Sequence, residues 1–233
     1  MKTHRMNTAS GFGSDACPLC GGVGYTVWRD DAGEVHASDC ECRIREDNRH
    51  RIDRSGLSDL LEAYTFAAYR TPEEWQRRAK ETAERYLTDW CGKWFFIGGT
   101  SGAGKTHLCT AICKAMMEGG IPVRYVQWRS DIPAIKAKVN NAEAYHDAVY
   151  QLKTIKALYI DDFLKGTPTE GDRNIAFDIL NSRYIAKDLV TILSSELTIQ
   201  RIIQWDPAMG GRIFERSKGY AINLEGKKNW RLQ

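Results

Sequence analysis

From Trp94 onward, short apolar runs alternate with longer stretches in which apolar residues recur every three or four positions. The runs 94–98, 123–128, 157–161, 189–194 and 220–224 are too short for helices and read as buried strands. Residues 105–118 place Leu108, Ala111, Ile112, Ala115 and Met116 on one helical face, and Gly119-Gly120 supplies the stop. Helices are also predicted over about 130–151, with a break, and over 172–187, 198–205 and 207–217. Strands alternating with helices predict an α/β fold: a parallel five-stranded sheet flanked by helices. Upstream, Glu73 to Trp90 sets Trp75, Ala79, Tyr86, Leu87 and Trp90 on one face of an amphipathic helix. No internal repeat is present.

The periodicity fades before residue 73. Residues 1–14 read as a flexible tail and 15–45 as a small cysteine module with Gly21, Gly22, Gly24 and Gly33 as turn formers. A basic linker over 46–72 then leads into the main domain, 73–233.

Composition narrows the class. The chain has 233 residues, 42% hydrophobic and 27% charged, as expected of a soluble folded protein. Its apolar runs fall far short of the roughly 20 residues a membrane span needs. Met1 to Gly13 is polar and lacks a secretory apolar segment, so a cytoplasmic location is expected. A net charge of +3 is too mild to imply nucleic-acid binding by itself.

One motif dominates the chemistry. Gly99-Thr100-Ser101-Gly102-Ala103-Gly104-Lys105-Thr106 fits the phosphate-binding pattern G-x-x-x-x-G-K-[ST], between a predicted strand and a predicted helix. Glycines let backbone N–H groups curl toward an anion, and the helix adds its positive end. Lys105 is placed to reach the β/γ-phosphates and the Thr106 hydroxyl to ligate Mg²⁺. A nucleoside triphosphate, expected to be ATP, is the implied ligand. About fifty residues later, the strand Ala157-Leu158-Tyr159-Ile160 ends in Asp161-Asp162. Asp161 at that strand end suits Mg²⁺, and Asp162 suits a general base acting on the attacking water.

In order of parts the chain resembles the DnaC/DnaI-type helicase loaders, a lidless branch of the AAA+ P-loop NTPases, and their transposon relative IstB. The marks run from about Gly56 to Gln233: Thr65-Phe66, the loop Gly99–Thr106 continuing into His107-Leu108, Asp161-Asp162, Ser194-Ser195-Glu196 and Arg212-Ile213-Phe214-Glu215-Arg216. The resemblance implies an ATPase that works as an oligomer, with nucleotide contacts from the loop, His107, Asp161, Ser195 and Arg231. The nine residues after the last predicted strand leave no room for the helical lid of larger AAA+ ATPases. In the family the fourth-strand motif is usually Thr-Ser-Asn, a polar γ-phosphate sensor. Glu196 departs from it, leaving Ser194, Ser195 or Glu196 for the role. Arg216 matches the family's arginine finger, which would face outward to a neighbouring subunit's nucleotide. Asp162, where stronger motors carry Glu, fits a slow switch.

The cysteines add a second element. Cys17-Pro18-Leu19-Cys20 and Cys40-Glu41-Cys42 offer four thiolates, a set suited to tetrahedral zinc in a closed, zinc-ribbon-like site. The second half is tighter than a standard C-x-x-C, so His36 or Asp39 could replace one thiol. A redox C-x-x-C would need a thioredoxin-like unit, which is not evident. Cys91, Cys109 and Cys113 read as small hydrophobes. In the DnaI-type branch a similar module engages the replicative helicase, so a DnaB-type helicase is the implied partner, with single-stranded DNA. Candidate DNA contacts are Trp128-Arg129, Lys136, Lys138 and Phe163-Leu164-Lys165. Rival readings are an IstB-like transposition helper, a small-metabolite kinase working as a single unit, and an adaptor that binds ATP but scarcely hydrolyses it.

Overall fold

A computed structural model of the chain describes residues 17–53 and 58–232; the expected tail, residues 1–14, lies outside the described residues. Five strands form one parallel sheet: β3 (Phe95–Gly99), β4 (Val123–Gln127), β5 (Ala157–Asp161), β6 (Val190–Ser195) and β7 (Ala221–Leu224), in the order β4-β5-β6-β3-β7. The three central strands, β5, β6 and β3, are buried on both faces, as a covered parallel sheet requires, while the edge strands β4 and β7 carry exposed residues. Phe95, Ile97, Tyr125, Tyr159 and Ile192 enter one core, with Leu108, Ile112 and Tyr86 from the helices. Phe96, Val126, Leu158, Ile160 and Leu193 enter the other, with Ile132, Ile175, Ile179 and Ile213.

The helices that cover the first face are α3 (Glu74–Asp89) and α4 (Lys105–Glu118). The second face is covered by α5 (Trp128–Lys136), α6 (Ala142–Thr154), α7 (Glu170–Ile185), α8 (Ile199–Trp205) and α9 (Pro207–Arg216). The break expected in 130–151 falls at residues 137–141, where the Asn141 side chain accepts the Ala144 N–H and starts α6. Trp128, expected to end a strand, opens α5 instead and is 4% exposed.

The N-terminal portion differs more. A hairpin of β1 (Tyr25–Arg29) and β2 (Val35–Asp39) joins the two cysteine pairs. Residues expected as a linker are largely helical: α1 (Glu41–Asp53) runs through the anticipated boundary at 45, and α2 (Ser58–Ala63) follows. The sequence of α1 has no strong apolar face; it carries Glu41–Arg45 and Glu46–His50 pairs four residues apart, which support an exposed helix. No helix among the described residues is long and apolar enough to cross a membrane.

At the N-terminal edge of the sheet, Arg183 on α7 is fully buried. Its guanidinium donates to the carbonyls of Leu152 (3.0 Å), Ile155 (2.8 Å) and Val190, and to the Thr191 hydroxyl (2.9 Å). Burial, and then the neighbouring Arg216 charge, push its pKa down to about 9. One cation thus ties the ends of α6 and α7 to the start of β6. Arg183→Leu is expected to leave those carbonyls without donors and to cost at least about 3 kcal/mol of unfolding free energy in urea titration; a loss below about 1 kcal/mol would contradict this assignment.

Candidate nucleotide site and cysteine cluster

The strand order sets the site. β6 lies between β3 and β5, so Ser194-Ser195-Glu196 falls between the loop after β3 and the carboxylates ending β5. The loop passes into α4 at Gly104, whose φ of 85° is left-handed and favours glycine. A side chain there would press on the Tyr69 ring, 2.9 Å from an added Cβ. Lys105 is 6% exposed, and its ammonium donates to the carbonyls of Gly99 (2.9 Å) and Thr100 (2.8 Å). Burial lowers its pKa.

Asp161 is buried among hydroxyls. Its Oδ1 accepts from Thr106 (3.2 Å), Tyr159 (2.7 Å) and Ser194, and its Oδ2 from Tyr125 (3.2 Å). Burial pushes both tyrosine hydroxyls upward in pKa, so they remain donors. The two residues expected to share Mg²⁺ are therefore hydrogen-bonded to each other. Asp162 has a left-handed φ of 53°, and its Oδ2 lies 3.0 Å from Lys165 Nζ. Lys165 also reaches Glu196, at 3.1 Å.

The open cleft holds about 210 Å³ and is lined by Ser101, Gly102, Gly104, Lys105, Thr106, His107, Asp162, Lys165, Glu196 and Arg231, together with Tyr64 and Trp230. Gly99, Thr100 and Ala103 complete the loop that frames it. Beside it, a second hollow of about 270 Å³ is lined by Tyr69, Gln76, Ala103, Gly104, His107 and Trp230. The hydroxyl of Tyr69 and the indole N–H of Trp230 are buried there without partners. His107 Nε2 donates to the Thr65 carbonyl (2.8 Å), and the ring stacks on Tyr64 (ring centroids 4.7 Å apart). Since a carbonyl only accepts, the histidine nitrogen facing it is the protonated one. Tyr64, Tyr69 and Trp230 were not among the residues singled out from sequence, although they neighbour Thr65-Phe66 and Arg231, which were.

Several expectations are corrected. Ser195 is fully buried, its hydroxyl donating to the Phe163 carbonyl (2.7 Å) and accepting the Leu197 N–H (3.0 Å); it does not line the cleft, whereas Glu196 does. Arg216 does not face outward with a free guanidinium. It donates to the carbonyls of Tyr184 (3.1 Å), Lys187 (3.0 Å) and Leu189 (3.1 Å) and lies over the Trp94 ring, closing the end of α7. Among the DNA candidates, Trp128 packs edge-on against Phe163 in the core, Leu164 is buried, Lys165 is held by two carboxylates and Lys136 pairs with Asp172 (2.9 Å). Arg129 and Lys138 stay exposed, and Lys138 lines a groove of about 410 Å³ with Arg124 and Gln151.

The cysteine cluster closes on itself. Cys17 and Cys40 Sγ atoms are 3.7 Å apart and those of Cys20 and Cys42 3.4 Å, with all four within 4.8 Å of one another. Four thiolates about 2.3 Å from a tetrahedral zinc would be spaced about 3.8 Å apart, so the cluster fits that ion. The Gly24 N–H points at Cys20 Sγ (3.3 Å), a donor suited to a thiolate. His36 and Asp39 take no part: His36 bonds Asp30 (2.8 Å) and Asp39 pairs with Arg43 (3.7 Å).

Residues 43–223 match the family model described as IstB-like ATP binding protein. YqaM of Bacillus subtilis (strain 168) is 28% identical over 215 residues, covering 86% of this chain and 66% of that protein, so just under two thirds of the relative is spanned. The replicative helicase loader DnaC of Escherichia coli (strain K12) is 24% identical over 196 residues, 82% of this chain and 78% of DnaC. Among solved structures, a crystal structure of the DnaC helicase loader superposes with a TM-score of 0.60 at 17% identity, covering 72% of this chain and 99% of that one. The solved AMPPCP-bound DnaA from Aquifex aeolicus is matched over 50% of its length, with a TM-score of 0.57 at 24% identity.

Proposed function

The chain belongs to the family of IstB-like ATP-binding proteins, with an AAA+ P-loop fold, and on that premise we propose that it is a slow switch ATPase that delivers a DnaB-type replicative helicase to single-stranded DNA. The observation that carries the nucleotide part is the Thr106–Asp161 hydrogen bond, which joins the phosphate loop to the end of β5. Lys105 leaves the loop carbonyls to bind the β/γ-phosphates, and the base enters the hollow between Tyr69 and Trp230, where two polar atoms want partners. Thr106 and Asp161 would hold Mg²⁺, which neutralises phosphate charge. Asp162 orients the attacking water and accepts its proton. Asp162 is held by Lys165 Nζ at 3.0 Å, so the carboxylate is engaged at rest and must be released before it can act on water, which suits slow turnover.

The loader part is supported by similarity to a protein named for that activity over 82% of this chain. All four clustered cysteines lie outside the residues matched to the family model, consistent with an adaptor added to the ATPase. Cys17, Cys20, Cys40 and Cys42 would hold zinc as a structural ion, stabilising a hairpin too small to form its own core. Assembly into an ATP-dependent oligomer belongs to the same reading, although Arg216 would have to give up three carbonyls to act in trans. The second reading, an IstB-like transposition helper on DNA, is favoured by the family match itself.

Two experiments test the proposal. Co-purification with the host replicative helicase should require ATP and be strengthened by single-stranded DNA, and Lys105→Ala should abolish it. Retention on duplex DNA with no helicase association would favour the IstB-like reading instead. Elemental analysis of purified protein should find about one zinc per chain, lost in the Cys17→Ser, Cys20→Ser double variant; metal-free protein with an intact fold would refute the zinc assignment.

A further inference from the structure

The acid at Glu196 poses an electrostatic problem. Glu196 and Asp162 both line a cleft whose ligand would be a polyanion, and two carboxylates there oppose binding of a third phosphate. The structure holds the answer in Lys165, whose ammonium sits 3.0 Å from Asp162 Oδ2 and 3.1 Å from Glu196 Oε1 and lines the same cleft as Ser101 and Lys105. Local backbone aims it there. Asp162 and Leu164 both adopt left-handed φ angles, 53° and 61°, which non-glycine residues avoid unless the surroundings impose them. The surroundings do so: Phe163 and Leu164 are buried in the core, the Ser195 hydroxyl fixes the Phe163 carbonyl, and the Lys165 N–H returns to the Asp162 carbonyl at 2.9 Å. From this turn the Lys165 side chain extends into the cleft.

We propose that Lys165 is a γ-phosphate ligand and Glu196 the positioning residue that holds it, so that a lysine–glutamate pair does the work of a neutral sensor side chain. On nucleotide binding the ammonium moves from the carboxylates to the terminal phosphate, which frees Asp162 to act on water. Burial acts to lower the Lys165 pKa, but the hydrogen bonds to Asp162 and Glu196 outweigh it and raise the value, so the group is a cation at neutral pH. Lys165 keeps Glu196, in turn, below the ordinary carboxylate range despite burial. The inference rests on the nucleotide-site reading and adds to it a residue that distinguishes triphosphate from diphosphate.

The test is calorimetric titration with Mg²⁺–AMP-PNP and with Mg²⁺–ADP of wild type, Lys165→Met, Lys165→Arg, Glu196→Gln and the Lys165→Met, Glu196→Gln double variant. Lys165→Met should lose at least tenfold in AMP-PNP affinity while ADP affinity stays within about threefold, which also reports an intact fold. Lys165→Arg should retain most of the discrimination. The double variant should recover part of the AMP-PNP affinity lost in Lys165→Met, because the repelling carboxylate is gone. Equal losses for both nucleotides, or none for either, would overturn the inference and show the pair to be structural. Wild-type protein that binds neither nucleotide would instead overturn the underlying site reading.

Discussion

The hydroxyl cage around Asp161 is the constraint on which the site depends. A buried carboxylate is costly unless donors surround it, and here the donors come from four different elements: Thr106 on α4, Tyr125 on β4, Tyr159 on β5 and Ser194 on β6. Satisfying that one charge therefore fixes the phosphate loop, the carboxylate pair and the fourth-strand motif relative to one another. The order β4-β5-β6-β3-β7 makes this possible, because it sets the strands carrying those residues side by side. The apolar strand pattern builds the sheet, and the buried carboxylate at the end of β5 orders its C-terminal edge.

Much of this was legible in the sequence. Strands such as Ala157–Asp161 and the helix Lys105–Glu118 fall where apolar periodicity and the glycine stop place them, because both faces of the sheet must be covered. The phosphate loop and Asp161-Asp162 were legible for a related reason: their chemistry demands fixed residues at fixed spacing. What escaped lacks such a signature. The charged helix α1 has no strong apolar stripe to announce it. Trp128 and Phe163 look the same in sequence whether they stack on bases or on each other, and only the packing decides. Arg216 was read by resemblance as outward-facing, whereas its guanidinium donates to three carbonyls of its own chain, contacts that no sequence pattern announces.

The departure at Glu196 makes sense once Lys165 is placed beside it. An acid at position 196 would weaken a phosphate site, and the lysine three residues past the carboxylate pair reads in the sequence only as a DNA contact. In three dimensions each answers the other, at 3.1 Å. The cysteine cluster follows the same logic at another scale: pairs separated by a hairpin in the chain converge to within 4.8 Å, and the convergence defines what they can hold.

On the proposed function, the cleft lined by Lys105, Thr106 and Asp162 receives the phosphates of ATP. The most direct measurement is a crystal structure of the protein with Mg²⁺ and a non-hydrolysable ATP analogue. Lys105 Nζ should then have left the carbonyls of Gly99 and Thr100 for the β/γ-phosphates, and Thr106 and Asp161 would be the residues holding Mg²⁺. An analogue bound elsewhere, with Lys105 still on those carbonyls, would contradict it.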